Sequence, residues 1–153
     1  MDINTRPADP KIMNKTVQIN ATTSHVWGML TTPELMKKSM MSDIDIEILT
    51  DWKVGSPFEI RGTMNGKDFE NKGIVLQFEP ERALQYSHLS SLSRLPDQPE
   101  NHAIVAFRLE PIGDQTNLTL TLSNFATESI YKHLAFYWNV TLEVLKQMIE
   151  TSG

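Results

Sequence analysis

A regular spacing of large apolar residues near the end of the chain is the feature that most constrains the fold. These residues recur three or four positions apart, which is the period of one face of an α-helix. Thr127 can cap the start of such a helix, and Glu128 lies in its first turn, where the helix dipole favours an anion. About 22 residues make a rod of roughly 33 Å, which needs a broad apolar surface to lie on. The residues in the series are Ile130, Leu134, Trp138, Leu142, Leu145 and Ile149.

Most of the preceding chain is predicted to form the β-strands that supply this surface. Apolar and polar residues alternate over residues 11–20 and again in six segments between residues 44 and 124, which is the pattern of half-buried strands. Asn65-Gly66 is the strongest hairpin signal in the chain. Short connections between these segments favour an antiparallel sheet, which should curl around the long helix.

A change in the alternation predicts one irregular strand. After Phe69 the apolar residues shift parity, and Gly73 follows soon afterwards. Together they predict a β-bulge near Asn71, which would help the sheet bend. With the bulge there, the residues expected to face the core are Ile74, Leu76 and Phe78.

Two short helices are predicted between the first and second strands. Thr22 is a plausible N-cap for one that contains Val26 and Trp27. Thr32 followed by Pro33 predicts the start of the next, because proline is favoured at the first helical position. The element order is then β-α-α-β-β-β-β-β-β-α. It predicts an α+β fold with a curved antiparallel sheet wrapped around the C-terminal helix, formed by one domain over residues 11–153 after a flexible arm at residues 1–10.

Composition and charge narrow the range of functions. With 40% hydrophobic residues among 153 the chain can build a full core, and with no cysteine it has no disulfide or thiolate metal site. A net charge of −5 with scattered Lys and Arg gives no basic face for nucleic acid. No apolar run reaches the ~18 residues of a membrane span, and residues 1–10 hold no apolar leader, so we expect a cytoplasmic protein without membrane partners. The pattern leaves the oligomeric state open.

The order and spacing of several short motifs resemble a known family. The chain is similar to the START-like (SRPBCC) superfamily and, within it, to the homologues of the heat-shock-protein ATPase activator. This resemblance implies a helix-grip fold, in which a seven-stranded sheet and the last helix enclose a cavity for apolar or amphipathic molecules. It also implies that some relatives are enzymes and others co-chaperone domains. The motifs are TTSHVW (22–27), LTTPE (30–34), VGSPF (54–58), GIV (73–75), FEPERALQY (78–86), TNLTL (116–120), YW (137–138) and LEVLK (142–146).

Eleven residues are candidates for the lining of such a cavity. Tyr86, His88 and Asn124 would present polar groups that orient a ligand in an otherwise apolar pocket. Where many relatives carry an inward tryptophan this chain has His88, which could also act as a general acid or base. Alternatively, neighbouring groups satisfy these polar side chains, and the other residues simply fill the core. The candidates are Trp27, Met36, Met40, Phe58, Ile60, Tyr86, His88, Phe107, Asn124, Leu134 and Trp138.

The resulting hypothesis is non-catalytic binding of a hydrophobic or amphipathic small molecule between the sheet and the last helix. One alternative is an enzyme of the cyclase or hydrolase type that uses His88. Another is an interaction module whose partner is a chaperone. No cofactor is expected, because the sequence has no nucleophile elbow, phosphate loop or dinucleotide fingerprint. The histidines also lack metal-ligand spacing.

Overall fold

In a computed structural model of the protein, which describes residues 11–40 and 46–151, seven strands form one antiparallel sheet. Neighbours in the sheet are also neighbours in the chain, except that the first strand pairs with the last, giving the order β1-β7-β6-β5-β4-β3-β2. The predicted arm at residues 1–10 lies outside the described residues. The strands are β1 Met13–Ile19, β2 Ile46–Thr50, β3 Pro57–Met64, β4 Lys67–Glu79, β5 Ala83–Ser90, β6 Ala103–Ile112 and β7 Gln115–Ser123.

Three α-helices, α1 Thr23–Thr31, α2 Pro33–Met40 and α3 Glu128–Thr151, begin where the sequence predicts. The Thr22 hydroxyl accepts a hydrogen bond from the His25 N–H at 3.2 Å. The Thr127 hydroxyl accepts one from the Ile130 N–H at 3.1 Å. Both bonds satisfy N–H groups that a helix start leaves without a partner. None of the helices in the described part of the chain has the length and apolar character needed to cross a membrane.

The face of α3 that the spacing predicts is the face that packs on the sheet. All residues of the predicted series are buried except Ile130, which is partly buried against the same core. Polar contacts hold α3 along β1: the Lys15 ammonium donates to the Asn139 carbonyl and pairs with the Glu143 carboxylate, both at 3.1 Å. The predicted fold class, a curved sheet that grips a long terminal helix, is therefore confirmed.

The Asn65-Gly66 hairpin is also confirmed. Both residues have positive φ, 53° and 78°, and the flanking residues Met64 and Lys67 pair with each other. Positive φ at both central positions is typical of the type I′ turn, whose twist matches that of the strands it joins. This short connection fixes the register of β3 against β4.

The bulge in β4 lies further along the strand than predicted, so part of the predicted inward row is wrong. The register of β4 on β5 shifts between Val75 and Gln77 rather than near Asn71. Ile74 and Leu76 consequently point outward and are 45% and 40% exposed, whereas Val75 is buried. Phe78, which follows the shift, does face inward and is partly buried.

The reason for this error is the composition of the inward row before the bulge. Asn71 and Gly73 occupy inward positions although neither is a large apolar residue. A side chain at Gly73 would place its Cβ 1.7 Å from the Ser87 carbonyl oxygen, so the close approach of β4 and β5 requires glycine there. Hydrophobic alternation alone does not reveal such a backbone contact.

Candidate functional site

A small cavity lies where α1 and α2 meet the sheet and α3. Its volume is about 20 Å³, close to the space that one water molecule needs. Every residue that lines it is buried, and the lining draws on both short helices, two central strands and α3. The lining residues are Met29, Leu30, Met36, Leu84, Tyr86, Phe107, Trp138, Thr141 and Leu145.

Large aromatic side chains leave little of the space between the sheet and α3 empty. Phe58 stacks on Tyr86 with ring centroids 4.2 Å apart, and the Phe107 ring meets Trp138 edge-on at 5.6 Å. Pockets that hold drug-sized molecules have volumes of about 300–1,000 Å³. A ligand of that size could enter only if some lining side chains moved.

The predicted site residues divide into groups in the structure. Met36, Tyr86, Phe107 and Trp138 line the cavity. His88 and Asn124 lie elsewhere, as described below. Met40 ends α2, and its side chain is outside the described residues. The remaining candidates belong to the surrounding core without lining the cavity: Trp27, Phe58, Ile60 and Leu134.

His88 lies on the inward face of β5, as its parity predicts, but it is not part of the cavity lining. Tyr86 pairs with Val105 and His88 pairs with Ala103, so both side chains leave the same face of the sheet. The imidazole is partly buried. Burial lowers the pKa of His88 to about 4, and repulsion from the His102 and His133 rings lowers it further. The ring is therefore neutral at pH 7.

Asn124 has a structural contact rather than a place at the cavity. Its side-chain amide donates to the His102 carbonyl oxygen at 2.8 Å, which ties the end of β7 to the start of β6. Its φ of 57° is one that asparagine tolerates better than most residues. The His102 ring in turn contacts the Asp97 carboxylate at 2.7 Å.

Three hydroxyl-bearing side chains lie at and next to the cavity. Tyr86 and Thr141 line it, and Tyr137 is hydrogen-bonded to Thr141 from the adjoining turn of α3. Burial raises the pKa of Tyr86 above its ordinary value, with a further contribution from Tyr137. Burial likewise raises the pKa of Tyr137. Both phenols are therefore protonated and uncharged at neutral pH.

Sequence reasoning missed Thr141 and several aliphatic lining residues. Thr141 follows Trp138 by three positions and Leu134 by seven, so helical periodicity alone would have placed it on the buried face. Because threonine is polar, Thr141 was not counted among the apolar residues of that face. The aliphatic lining residues were assigned to the core or left unassigned: Met29, Leu30, Leu84 and Leu145.

Trp52 is a further residue that no sequence pattern indicated as part of the site. It lies in the connection between β2 and β3, and its indole N–H donates to the Thr31 carbonyl oxygen at 2.7 Å. Its ring lies 5.5 Å from that of Phe58 and 5.6 Å from that of Phe78. Since Thr31 ends α1, this contact anchors the junction of the two short helices that bound the cavity.

The described residues that line the cavity carry no charged side chain. None of the nine lining side chains is a carboxylate, an amine, a guanidinium or an imidazole. Within residues 11–40 and 46–151, no three His, Cys, Asp or Glu side chains come together as metal ligands. The polar groups on the lining side chains are the hydroxyls of Tyr86 and Thr141 and the indole N–H of Trp138. The arrangement can thus bury apolar groups and form a few uncharged hydrogen bonds.

Solved structures with the same fold include both close and distant relatives. The solution structure of protein ChR145 from Cytophaga hutchinsonii is 37% identical, and the match covers 94% of this chain and 97% of that one with a TM-score of 0.79. The crystal structure of MLL2253 from Mesorhizobium loti is 22% identical over 94% and 99%, with a TM-score of 0.75. The solution structure of the Aha1 dimer from Colwellia psychrerythraea is 24% identical over 92% and 96%, with a TM-score of 0.68.

Comparison with protein families confirms the resemblance noted in the sequence. No curated protein matches the chain. The model of the family described as Activator of Hsp90 ATPase homolog 1-like protein matches residues 20–150. Since that match spans most of the chain, and ChR145 is 37% identical over 94% of it, the protein belongs to the family of Activator of Hsp90 ATPase homolog 1-like proteins.

Proposed function

We propose that the protein binds a hydrophobic or amphipathic small molecule between the sheet and α3, and that it does so without catalysing a reaction. The observation that carries the proposal is the position of the cavity, which lies among buried apolar residues where α1, α2, the sheet and α3 meet. Membership of a family of ligand-binding or chaperone-associated modules supports it. The cytoplasmic location expected from the sequence is part of the same proposal.

Binding requires the cavity to grow, and the methionines of the two short helices are suited to this. Met29 lies on α1 and Met36 on α2, and both line the cavity. Methionine is unbranched and has three rotatable side-chain bonds, so it adapts to shapes that a branched side chain cannot follow. Each ligand CH₂ group that enters contributes about 0.8 kcal/mol, which offsets the displacement of these side chains.

The experiment is an NMR titration in which a panel of alkyl and aromatic compounds is added to the protein. The observed signals are those of the methionine methyl groups and the tryptophan indole N–H groups. We expect saturable shifts at Met29, Met36 and Trp138. A panel that leaves all of these signals unmoved would reject the proposal.

A pair of α3 variants supplies the control. Leu145→Phe adds side-chain volume at the cavity lining. Val144→Phe introduces the same aromatic side chain at the adjacent residue, which is 39% exposed. We expect Leu145→Phe to weaken binding at least tenfold while Val144→Phe retains it. Equal binding by the two variants would place the ligand elsewhere. Circular dichroism confirms that each variant is folded, since overpacking a core costs about 1–3 kcal/mol.

The geometry does not favour the enzymatic alternative. A general acid or base must come within hydrogen-bond reach of the reacting group, and His88, the candidate for that role, lies outside the cavity lining. Its conjugate acid, with a pKa of about 4, is scarcely populated at pH 7. The lining residues therefore support binding rather than acid–base chemistry.

A second candidate function, docking on a chaperone, is favoured by a separate observation on α3. Phe136, Val140 and Val144 follow one another at intervals of four and are 73%, 51% and 39% exposed, so they form an apolar stripe on the outer face of the helix. Exposed apolar patches often mark protein-interaction sites. The family description, which names an activator of the Hsp90 ATPase, suggests the class of partner.

This second function is tested with a purified Hsp90-type chaperone. The variant Phe136→Ser removes the most exposed apolar ring, and Ile112→Ser makes a comparable change at a residue that is 43% exposed in the β6–β7 hairpin. If α3 docks on the chaperone, Phe136→Ser alone lowers co-purification and ATPase stimulation. No association by the unmodified protein, or equal loss in both variants, would rule out docking through the stripe.

A further inference from the structure

Among the described residues that line the cavity, Tyr86 is the one that carries a phenol. Tyr86 is 2% exposed, and no hydrogen bond within the described residues uses its hydroxyl. The neighbouring hydroxyls differ, because Tyr137 and Thr141 are hydrogen-bonded to each other. Among the described residues, the fully enclosed side-chain polar atoms without a partner are Asn71 Oδ1 and His102 Nδ1, so the Tyr86 hydroxyl keeps some accessible surface. A hydroxyl of this kind can form a hydrogen bond with a ligand. Tyr86 is therefore a group that a ligand can satisfy.

The size of the cavity indicates what can lie beside this hydroxyl. A volume of about 20 Å³ accommodates one oxygen-sized group and little more. The apolar lining residues, among them Leu84 and Leu145, surround that space. A suitable ligand therefore places one polar atom beside the Tyr86 hydroxyl. Its alkyl or aromatic part then packs on the apolar lining residues, where the methionine side chains have moved aside.

The charge of the lining limits the polar atom further. An ionised carboxylate or ammonium that loses its water requires an opposite charge or several hydrogen-bond partners nearby. The described lining residues include no charged side chain, and their polar groups are two hydroxyls and one indole N–H. These groups can bind a neutral hydroxyl or carbonyl, whereas they cannot offset the desolvation of an ion.

We infer that the site selects uncharged amphipathic molecules, alcohols or ketones, whose single polar group hydrogen-bonds to the Tyr86 hydroxyl, and that it rejects fatty acids and alkylamines. This inference rests on the proposed small-molecule function and specifies its ligand class. It assigns the orienting role to Tyr86, with Thr141 beside it, and not to His88 or Asn124.

The test compares three probes that share one alkyl chain: 1-decanol, decanoate and decylammonium, each below its aggregation concentration at pH 7.5. Isothermal titration measures the affinities, and the Trp138 indole signal reports whether the probe is at the cavity. We expect decanol to bind at least tenfold more tightly than either ion. Equal or tighter binding of decanoate would overturn the inference while leaving the small-molecule function intact. No binding of any probe at the cavity would overturn both.

Matched tyrosine variants identify the anchoring group. Tyr86→Phe removes only the hydroxyl at the cavity, and Tyr131→Phe makes the same change at a partly buried ring that packs on Phe125 away from it. We expect Tyr86→Phe to weaken decanol binding about threefold to tenfold, the range that one uncharged hydrogen bond supplies. Tyr131→Phe should bind as the unmodified protein does. Thr141→Val, which keeps the side-chain shape, serves as a second variant with a smaller expected loss. Unchanged affinity in Tyr86→Phe would overturn the assignment.

Discussion

Replacing His88 should remove a large part of the sensitivity of the protein to mild acid. Burial of the imidazole lowers the pKa of His88 from 6.5 to about 4. Between these two values the unfolded chain binds a proton at this position and the folded protein does not. The free energy of unfolding therefore falls as the pH falls from 6.5, and this loss is complete below pH 4. Above pH 6.5, His88 adds no pH dependence to the free energy of unfolding, because its imidazole is neutral in both states.

The magnitude follows from the width of that interval. Each pH unit between the two pKa values corresponds to about 1.4 kcal/mol, so the interval from 6.5 to about 4 for His88 corresponds to roughly 3–4 kcal/mol. Because the imidazole is partly rather than fully buried, we treat this value as an upper bound. A loss of this size is a large share of the 5–15 kcal/mol that typical domains possess, about a fifth or more.

The assay is urea unfolding followed by tryptophan fluorescence from pH 7.5 to 4.5, with the unmodified protein and His88→Gln measured side by side. Other titrations are common to both proteins and cancel in the difference. We expect the variant to become relatively more stable by about 2–3 kcal/mol at the acid end. A second variant, His88→Leu, should show the same pH profile, because neither side chain titrates. Free energies that change in parallel over the whole range would refute the reasoning.

Three further predictions concern stability and ionisation. Gly73→Ala should destabilise the protein by about 3 kcal/mol or more in chemical denaturation, because its Cβ would lie 1.7 Å from a backbone oxygen of β5. Gly28→Ala, whose Cβ meets nothing within 4 Å in α1, should instead stabilise it by about 0.5–1 kcal/mol, and similar effects of the two changes would contradict the packing argument. Trp52→Phe should cost about 1–2 kcal/mol in thermal unfolding, because the Thr31 carbonyl loses its indole donor; no loss would show that the bond is unimportant. Tyr86→Phe should leave the phenolate absorbance of the folded protein unchanged up to about pH 11, since burial raises the pKa of Tyr86; a decrease would show that Tyr86 ionises normally.

Local signals predicted the elements because their causes are local. The Thr22 and Thr127 caps act on N–H groups three residues away, and the Asn65-Gly66 turn depends on the φ values of two adjacent residues. The α3 face depends on one periodicity within one segment. Such features need no knowledge of distant residues.

Prediction of the site was less complete because the site is assembled from distant segments. Met36, Tyr86, Phe107 and Trp138 were predicted as lining residues, and the structure brings them together around one cavity. Their binding role stays a prediction. Thr141 was missed because a polar residue on an apolar helix face becomes visible only when its neighbours are known.

The sequence by itself determined the element order, the buried face of α3 and the kind of layer that α3 lies on, because hydrophobic periodicity and capping act within a few residues. Only the tertiary structure decided the parity of β4 after Asn71 and the volume left between sheet and helix. The parity depends on how closely β4 approaches Ser87 of β5. The volume is the small difference between the space that the layers enclose and the side chains that fill it. Both quantities arise from contacts between residues far apart in the chain, which no local pattern records.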